Sequence, residues 1–411
     1  MIRPSGTLPR AWLLVALLVL PSGGLYAQAP RAISRADAIQ AALAQAPRLL
    51  LAGSDTLAAA ANALSARLFP DPVASIGYTE SFPRYHAELS IPLDLPWIRS
   101  ARKAAAESNR AGSQLRLAFA RVAAQLDADT AYTAALAAHA LLALSRRNTR
   151  DADSLLGIAL FRNKEGDASL LDVELARVFV GQQANAYAAD SLAAESTLLT
   201  LQASMGMADG EIAISLSDTL RRPPPDRASA DTSPVLPIAA AEADVTTAEL
   251  AAKAQRASWM LEPTLTAGIE TNDPGGTENR ILPLVGLALP LPLLNRNRGN
   301  VAIAEADVQH ARALLAAIRV ESGSAIGRAQ RAVQMILAQL TRDERMTVTT
   351  EHVSSMSLTA YREGAATLAS VLEAQRMARD VRAQHIADLA AAWTARSVLM
   401  LLTETAAPRV P

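Results

Sequence analysis

The chain of 411 residues contains no cysteine. Disulfide bonds, thiolate metal sites, cysteine nucleophiles and a lipid anchor on an N-terminal cysteine are therefore excluded. Aromatic residues make up only 4% of the chain, and 39 basic residues nearly balance 40 acidic ones. This balance gives a nucleic-acid partner no electrostatic support. Much of the 50% hydrophobic content is alanine, which favours helices over a bulky globular core.

Long apolar runs are also missing. Residues 11–20 are apolar, follow Arg3 and Arg10, and precede a break at residues 21–24. A candidate cleavage site follows, at Leu25-Tyr26-Ala27 or at Ala27-Gln28-Ala29. This order is typical of a secretory signal peptide, which we place at 1–27. The alternative is a membrane anchor, but ten apolar residues are too few to cross a bilayer as a helix. We expect export to a periplasm or to the outside.

Proline is absent from residues 97–222 and again from residues 293–407. Because proline breaks helices, these two stretches can hold very long ones. Each stretch contains a matching turn signal, Gly166 followed by Ser169 in the first and Gly364 followed by Thr367 in the second. Glycine accepts the left-handed end of a helix, and Ser or Thr caps the next one. We predict two antiparallel helical hairpins, at about 98–206 and 296–403, with a simple kink as the alternative at each glycine.

The chain also contains two similar segments, and matching residues in them are 198 positions apart. Gly166 recurs as Gly364, and the run Ala104-x-Ala106-Glu107 recurs as Ala302-x-Ala304-Glu305. Such self-similarity indicates two copies of one structural unit. We assign the first copy to 28–220 and the second to 238–405. A Pro-rich connector at 221–237 joins them, and 406–411 is a C-terminal tail.

Each helical hairpin is preceded by two short extended segments, at about 72–80 and 84–95 and at 263–271 and 281–292. Apolar and polar residues alternate in three of the four, which predicts strands with two chemically different faces. A bilayer-crossing barrel strand has this length and pattern, but a half-buried strand of a soluble sheet alternates in the same way. The polar positions are candidate barrel-lumen residues: His86, Glu88, Ser90, Thr264, Thr266 and Glu270.

Four strands cannot close a barrel alone, and a rod of two helical hairpins with small and polar faces needs neighbours. Both problems are solved if several copies assemble around one axis, because closure removes the strand edges that lipid cannot tolerate. Three copies would supply twelve strands. The fold class expected is therefore mainly α with a small β part, in two tandem repeats.

Two segments resemble a known family. Residues 289–300 lead into Ala302-x-Ala304-Glu305, and Tyr361-Arg362-Glu363-Gly364 leads into Leu368 and Val371. These segments, the repeat and the signal peptide resemble outer-membrane efflux proteins of the TolC-like type. The residue 289–300 segment is most similar to the heavy-metal (CzcC-like) branch.

The resemblance implies a homotrimeric export duct with a twelve-stranded outer-membrane β-barrel, continued by an α-helical barrel in the periplasm. It implies a periplasmic adaptor and an inner-membrane RND-type pump as partners. The two turns at Gly166, Ser169, Gly364 and Thr367 would form the periplasmic tip and contact the adaptor. The localisation implied is the outer membrane of a Gram-negative-type bacterium. A soluble periplasmic coiled-coil scaffold or adaptor remains the alternative of a different class.

A duct selects and gates its cargo instead of changing it, so rings of charge and constrictions matter most. The candidate pore-constriction residues, all near the two turns, are Asp172, Tyr361, Arg362 and Glu373. An ordinary solvated helix face or routine helix packing explains the same residues equally well. The expected cargo is heavy-metal cations, with drugs or a secreted polypeptide as alternatives.

We expect neither a cofactor nor a resident metal, and no enzyme activity. None of the five histidines pairs with another at i,i+3 or i,i+4, and nucleotide-binding and hydrolase motifs are missing from the sequence.

Overall fold

The computed structural model describes residues 31–207, 213–224, 234–259, 263–271, 281–293 and 295–405. The predicted signal peptide, most of the connector, the loop after Thr271 and the C-terminal tail lie outside these residues. In chain order the elements are β1 Arg31–Ile33, α1 Arg35–Gln45, α2 Pro47–Ser65, β2 Val73–Tyr78, β3 Tyr85–Pro92, α3 Pro96–Glu165, α4 Leu170–Ser204, β4 Ile214–Leu216, α5 Leu236–Ala257, β5 Thr264–Thr271, β6 Leu282–Ala288, α6 Arg298–Arg362 and α7 Leu368–Thr403.

The two proline-free stretches fold into two helical hairpins, α3–α4 and α6–α7. The reversals occur at Gly166 and Gly364, the positions that the repeat predicted, so hairpins and not kinks are present. The prediction of a mainly helical fold in two tandem repeats is confirmed. At 1.5 Å per residue, the 70 residues of α3 extend roughly 105 Å.

A shorter helical segment precedes the strands of each repeat. In the first repeat it is divided into α1 and α2 at Pro47, because proline is tolerated in a first turn but not inside a helix. In the second repeat it is the single helix α5. It begins at Leu236, two residues before the predicted start of the second repeat, since Pro237 also sits in a first turn.

Small side chains hold the helices close together. Ala124 and Ala128 of α3 pack against Ala42 and Ala46 at the end of α1. A larger cluster lies one turn further along α3, where Tyr132 packs with Leu201 and Met205 of α4 and with Ile33 of β1. Alanine at these positions allows close approach of helix backbones.

The four strands that precede the hairpins form one antiparallel sheet with the order β2-β3-β5-β6. The first copy thus contributes β2 and β3, the second contributes β5 and β6, and the two copies meet where β3 pairs with β5. Within the part of the chain that is described, β2 and β6 have no further strand partner.

A second, two-stranded sheet was not predicted. The three residues of β1 pair in parallel with the three of β4, which lie at the opposite ends of the first repeat. An isolated bridge between Val235 and Thr405 closes the second repeat in a comparable way. Segments of three residues carry no measurable alternation, which is why sequence patterns do not reveal them.

Helix α7 is long and apolar enough, by length and composition, to cross a membrane, with a mean hydropathy of 1.3 over its most apolar window. It packs along α6, with Leu389 and Ala392 against Leu340. Only 22% of that window is buried within the described chain.

Candidate functional site

The six residues predicted to face a lumen lie on one face of the four-stranded sheet. Directly opposed residues in a sheet point to the same side. His86 opposes Glu270, Ser90 opposes Thr266, and Thr264 opposes Pro92. Glu88 lies between His86 and Ser90 on the same side, opposite Ser75 of β2 and Gly268 of β5. We call this side the polar face.

The other side of the sheet, the apolar face, carries no charged residue in the four strands. Its members are Ala74, Ile76, Tyr78, Tyr85, Ala87, Leu89, Ile91, Leu265, Ala267, Ile269, Thr271, Pro283, Val285 and Leu287. Nothing within the described chain covers it, since Ile76 is 90% exposed and Val285 is 77% exposed. A continuous apolar sheet face of this kind needs an apolar environment.

Polar side chains on the polar face interact with one another. Nδ1 of His86 lies 3.3 Å from Oε1 of Glu270, which joins the two repeats across the β3–β5 pair. Nε2 of the same ring lies 3.1 Å from the Thr79 hydroxyl. The carboxylate of Glu88 has no hydrogen-bond or ion-pair partner among the described residues. It is therefore the acidic group on this face most available to a solute.

Both hairpin turns use glycine in the left-handed conformation, with φ of 86° at Gly166 and 77° at Gly364. At the first turn, the Asp167 amide donates to the Arg162 carbonyl over 2.8 Å. At the second, the Ala365 amide donates to the Ala360 carbonyl over the same distance. These bonds satisfy helix-end carbonyls that would otherwise be left open.

The helix that leaves each turn is capped by the predicted residue. The Ser169 hydroxyl accepts from the Asp172 amide, and the Asp172 carboxylate accepts from the Ser169 amide over 3.1 Å, which completes a capping box. Thr367 caps α7 by accepting from the Ser370 amide. The structure therefore gives Asp172, a candidate constriction residue, a local capping contact.

Tyr361 joins the two hairpins close to their turns. Its ring is buried among Leu155 of α3 and Leu368 and Val371 of α7, in a group we call the tip cluster. Burial raises the pKa of its hydroxyl, an effect that nearby Arg162 opposes and Asp172 reinforces. The hydroxyl has no hydrogen-bond partner within the described chain.

Arg162 completes this joint, although sequence analysis did not single it out. Its Nη1 donates to the Tyr361 carbonyl over 2.7 Å, and its guanidinium carbon lies 4.7 Å from the centre of the Tyr361 ring. Its Nη2 also donates to the Asp167 carbonyl at the first turn. The counterpart of Arg162 in the second repeat is Ala360, so the repeat offered no signal for it.

The remaining two candidate constriction residues lie on opposite sides of the second turn. Glu373 is exposed on α7, where it lies 3.6 Å from Arg376 in an i,i+3 pair. Arg362 is directed into the cleft between the hairpins and has no hydrogen-bond or ion-pair partner among the described residues. Of the four candidates, the chain brings Asp172, Tyr361 and Arg362 close to the turns, whereas Glu373 lies further along α7 as an exposed side chain.

No cluster of three or more His, Asp or Glu residues suited to a metal ion is found in the described ranges. The arrangement as a whole consists of a two-faced sheet at one end of two long hairpins and two glycine turns at the other. It presents surfaces for assembly and passage.

Sequence comparison finds a matching family. Residues 236–403 match the model of the family described as "Outer membrane efflux protein". This match spans the second repeat of the chain. The chain is an outer-membrane protein with a periplasmic extension, and the family that it matches is one of channels.

Two curated relatives are similar over most of their length. The chain is 29% identical over 322 residues to the nickel-cobalt-cadmium resistance protein of Alcaligenes xylosoxydans xylosoxydans. This alignment covers 76% of this chain and 72% of that protein. The chain is 27% identical over 323 residues to the cobalt-zinc-cadmium resistance protein of Cupriavidus metallidurans, with 76% and 75% covered.

The fold matches solved outer-membrane channels. The outer membrane protein VceC of Vibrio cholerae superposes with a TM-score of 0.72 at 19% identity, covering 90% of this chain and 96% of that one. The resemblance to TolC-like channels, first seen in the repeat and the turn segments, is confirmed.

Proposed function

We propose that this efflux protein acts as a homotrimer, in which three four-stranded sheets close a twelve-stranded barrel. The observation that carries the proposal is the sheet. Its edge strands β2 and β6 have no further strand partner among the described residues, one of its faces carries no charge, and the other carries the polar side chains. In a bilayer every edge must be paired, and outer-membrane barrels have eight strands or more. Pairing β6 of one copy with β2 of the next satisfies all edges.

In this assembly the polar face lines the passage and the apolar face meets lipid. Each carboxylate on the polar face then becomes a ring of three. Rings formed by Glu88 and Glu270 would attract cations and discourage anions. The three pairs of hairpins continue the passage towards the periplasmic tip.

The proposed cargo is heavy-metal cations. Two observations support it: the two curated relatives are named for resistance to nickel, cobalt, zinc and cadmium, and the acidic side chains of the polar face suit cations. The metal ion here is a transported substrate and needs no resident site.

We place the partners at the two turns. Gly166 with Ser169 and Gly364 with Thr367 stand at the far end of the hairpins, where a periplasmic adaptor and an inner-membrane RND-type pump would dock. Asp172, Tyr361, Arg362 and Glu373 remain the candidate constriction, with Tyr361 and Arg162 holding the two hairpins of one chain together.

A test of the assembly uses the absence of cysteine, because any introduced thiol is unique. Glu88→Cys and Leu89→Cys sit next to each other on opposite faces of β3. In membranes, a water-soluble maleimide should label Cys at 88 and leave Cys at 89 unlabelled, and the mature protein should require detergent and have the mass of three chains. Equal labelling at both positions, or a monomer in the periplasmic extract, would contradict the proposal.

The cargo is tested separately in cells that carry the remaining components of a metal-efflux system. Deletion of this chain should lower resistance to cobalt, zinc or cadmium, and re-expression should restore it. Loss of resistance to drugs with unchanged metal resistance would leave the trimeric duct intact and reassign its substrate.

A further inference from the structure

A cleft of about 250 Å³ lies between the two helical hairpins, next to the tip cluster. All four long helices line it: Arg147 from α3, Gln183 from α4, Arg362 from α6, and Arg379 and Arg382 from α7. We call it the inter-hairpin cleft.

The cleft carries an excess of positive charge. Five arginines contribute to its lining, Arg147, Arg362, Arg376, Arg379 and Arg382, against only two carboxylates, Asp151 and Glu351. Guanidinium groups cannot lose their proton in proteins, so this excess persists at any physiological pH.

Only part of the charge is neutralised within the chain. Glu351 accepts from Arg382, whose side chain is only 18% exposed, at 2.6 Å. Arg379 pairs with Asp380, and Arg376 lies 3.6 Å from Glu373. Arg147 and Arg362 make no hydrogen bond or ion pair within the described residues, although they approach the cleft from different hairpins.

A buried donor without a partner also lines the cleft. Gln183 is 1% exposed, and its Nε2 has no hydrogen-bond partner within the described chain. A buried polar group left unpaired costs stability, so such a group calls for an occupant that can accept a hydrogen bond. The excess of guanidinium groups likewise favours an occupant that accepts hydrogen bonds and carries negative charge.

We propose that the inter-hairpin cleft is a binding site for a small multivalent oxyanion of the phosphate class. Guanidinium groups suit phosphate oxygens, which accept two parallel hydrogen bonds from one arginine. Arg147 would bind the anion from the first hairpin and Arg362 from the second, while Gln183 donates from the floor. The occupant would bridge the two hairpins directly behind the tip cluster and so control how far they separate. The site does not depend on the proposed trimer or cargo.

Anion binding is measured on the full-length protein in detergent, by calorimetric titration and by the shift in Tm. Inorganic phosphate is compared with chloride at matched ionic strength. We expect saturable binding of phosphate and a rise in Tm that chloride does not produce. Arg147→Gln and Arg362→Gln should each weaken binding by about tenfold or more, as expected for the loss of one charge-assisted hydrogen bond. Arg146→Gln, at the neighbouring exposed position, is the matched control and should bind as the wild type does.

A second pair of variants tests the buried donor without requiring a ligand. Gln183→Glu places a carboxylate inside the cleft and should imitate the anion, raising Tm in chloride and abolishing the phosphate-dependent shift. Gln182→Glu, one residue away on the exposed side of α4, should do neither. The proposal is overturned if phosphate and chloride act alike on the wild type, or if Arg147→Gln and Arg146→Gln respond to phosphate equally.

Discussion

Arg162 of α3 donates a hydrogen bond of 2.7 Å to the carbonyl of Tyr361 in α6, and so ties the last turn of the first long helix to the last turn of the second. The same guanidinium covers the Tyr361 ring and also holds the Asp167 carbonyl. One side chain therefore connects both turns of the chain.

Replacement of Arg162 should loosen both turns. We expect Arg162→Gln to lower the free energy of unfolding by about 1–2 kcal/mol, the range for a partly exposed hydrogen bond from a charged donor. Amide hydrogen exchange at residues 363–365 should accelerate, because the second turn loses its link to the first hairpin. Lys164→Gln, at an exposed site in the same helix end, serves as the control. Unchanged exchange in Arg162→Gln would show that the tip cluster alone fixes the turn.

The left-handed glycines predict a graded response to alanine. A Cβ at Gly166 meets no atom within 4 Å. Gly166→Ala should therefore lower the free energy of unfolding only by the backbone strain of a left-handed alanine, about 1–2 kcal/mol. At Gly206, with φ of 75°, a Cβ would lie 2.3 Å from the Gln45 carbonyl oxygen, so Gly206→Ala should cost clearly more.

Gly157 supplies the control for that series. It lies inside α3 with open space around it, and Gly157→Ala should stabilise the helix by about 1 kcal/mol. Chemical unfolding of the four proteins in detergent gives the order. A Gly206→Ala variant as stable as Gly166→Ala would mean that the contact with Gln45 relaxes without cost.

A pair of acids between α6 and α7, the half-buried Asp343 and the buried Asp388, predicts a pH dependence of stability. Asp388 accepts from Gln339 over 2.8 Å and from Gln384 over 3.0 Å. Burial, followed by the hydrogen bond and charge of Asp388, raises the pKa of Asp343 above its ordinary value of 3.8.

The direction of the effect follows from the raised pKa. The folded state favours the protonated form of Asp343. Its contribution to the free energy of unfolding is therefore complete below about pH 4, and it is lost as the pH rises through the raised pKa of the folded state. Asp343→Asn cannot ionise and should flatten this part of the stability profile and be more stable than the wild type at neutral pH. Unfolding at several pH values tests this, with Glu321→Gln on the exposed side of α6 as control. If the free energy of unfolding of Asp343→Asn depended on pH as steeply as that of the wild type, another group would be responsible for the titration.

The two faces of the sheet predict opposite tolerance to charge. Ala267 opposes Leu89 and Val285 on the apolar face, whereas the adjacent Thr266 lies on the polar face. Ala267→Lys should destabilise the membrane-embedded protein by about 2–4 kcal/mol, the cost of a lysine facing lipid near the bilayer midplane. Thr266→Lys should be tolerated. Urea unfolding in lipid vesicles measures the stability of the two variants. Equal stability of Ala267→Lys and Thr266→Lys would show that both faces of the sheet lie in water.

Local patterns were sufficient for the parts of the fold that repeat or alternate. Gly166 and Gly364 were found because the same turn occurs at the same place in both copies. Strand β3 was found because His86, Glu88 and Ser90 alternate with apolar residues, and the pairing register confirms that they share a face. The alternation is contained within ten residues of chain, where backbone geometry alone sets the period, and the repeat is visible as matching residues at a fixed offset.

Contacts that depend on how distant segments are aligned were not predictable in this way. The β1–β4 pair joins Arg31 to Ile214, and the acid pair joins positions 343 and 388 across the interface of a helical hairpin. The inter-hairpin cleft needs four helices in register before its arginines converge. The roles of Asp172 and Glu373 in a constriction remain predictions, because a pore exists only when several chains meet.

The β3–β5 pair places the junction between the duplicated halves inside a continuous sheet. A ring built from unfused halves would need six intermolecular joints and would carry the same side chain at all six equivalent places. In the proposed trimer, fusion would leave three joints. It also allows the two halves to diverge in sequence, as Glu373 against Leu175 and Arg162 against Ala360 illustrate. The resulting cylinder would have a nearly sixfold backbone but side chains with only threefold symmetry. A partner could therefore distinguish the groove between the two hairpins of one chain from the groove between hairpins of neighbouring chains.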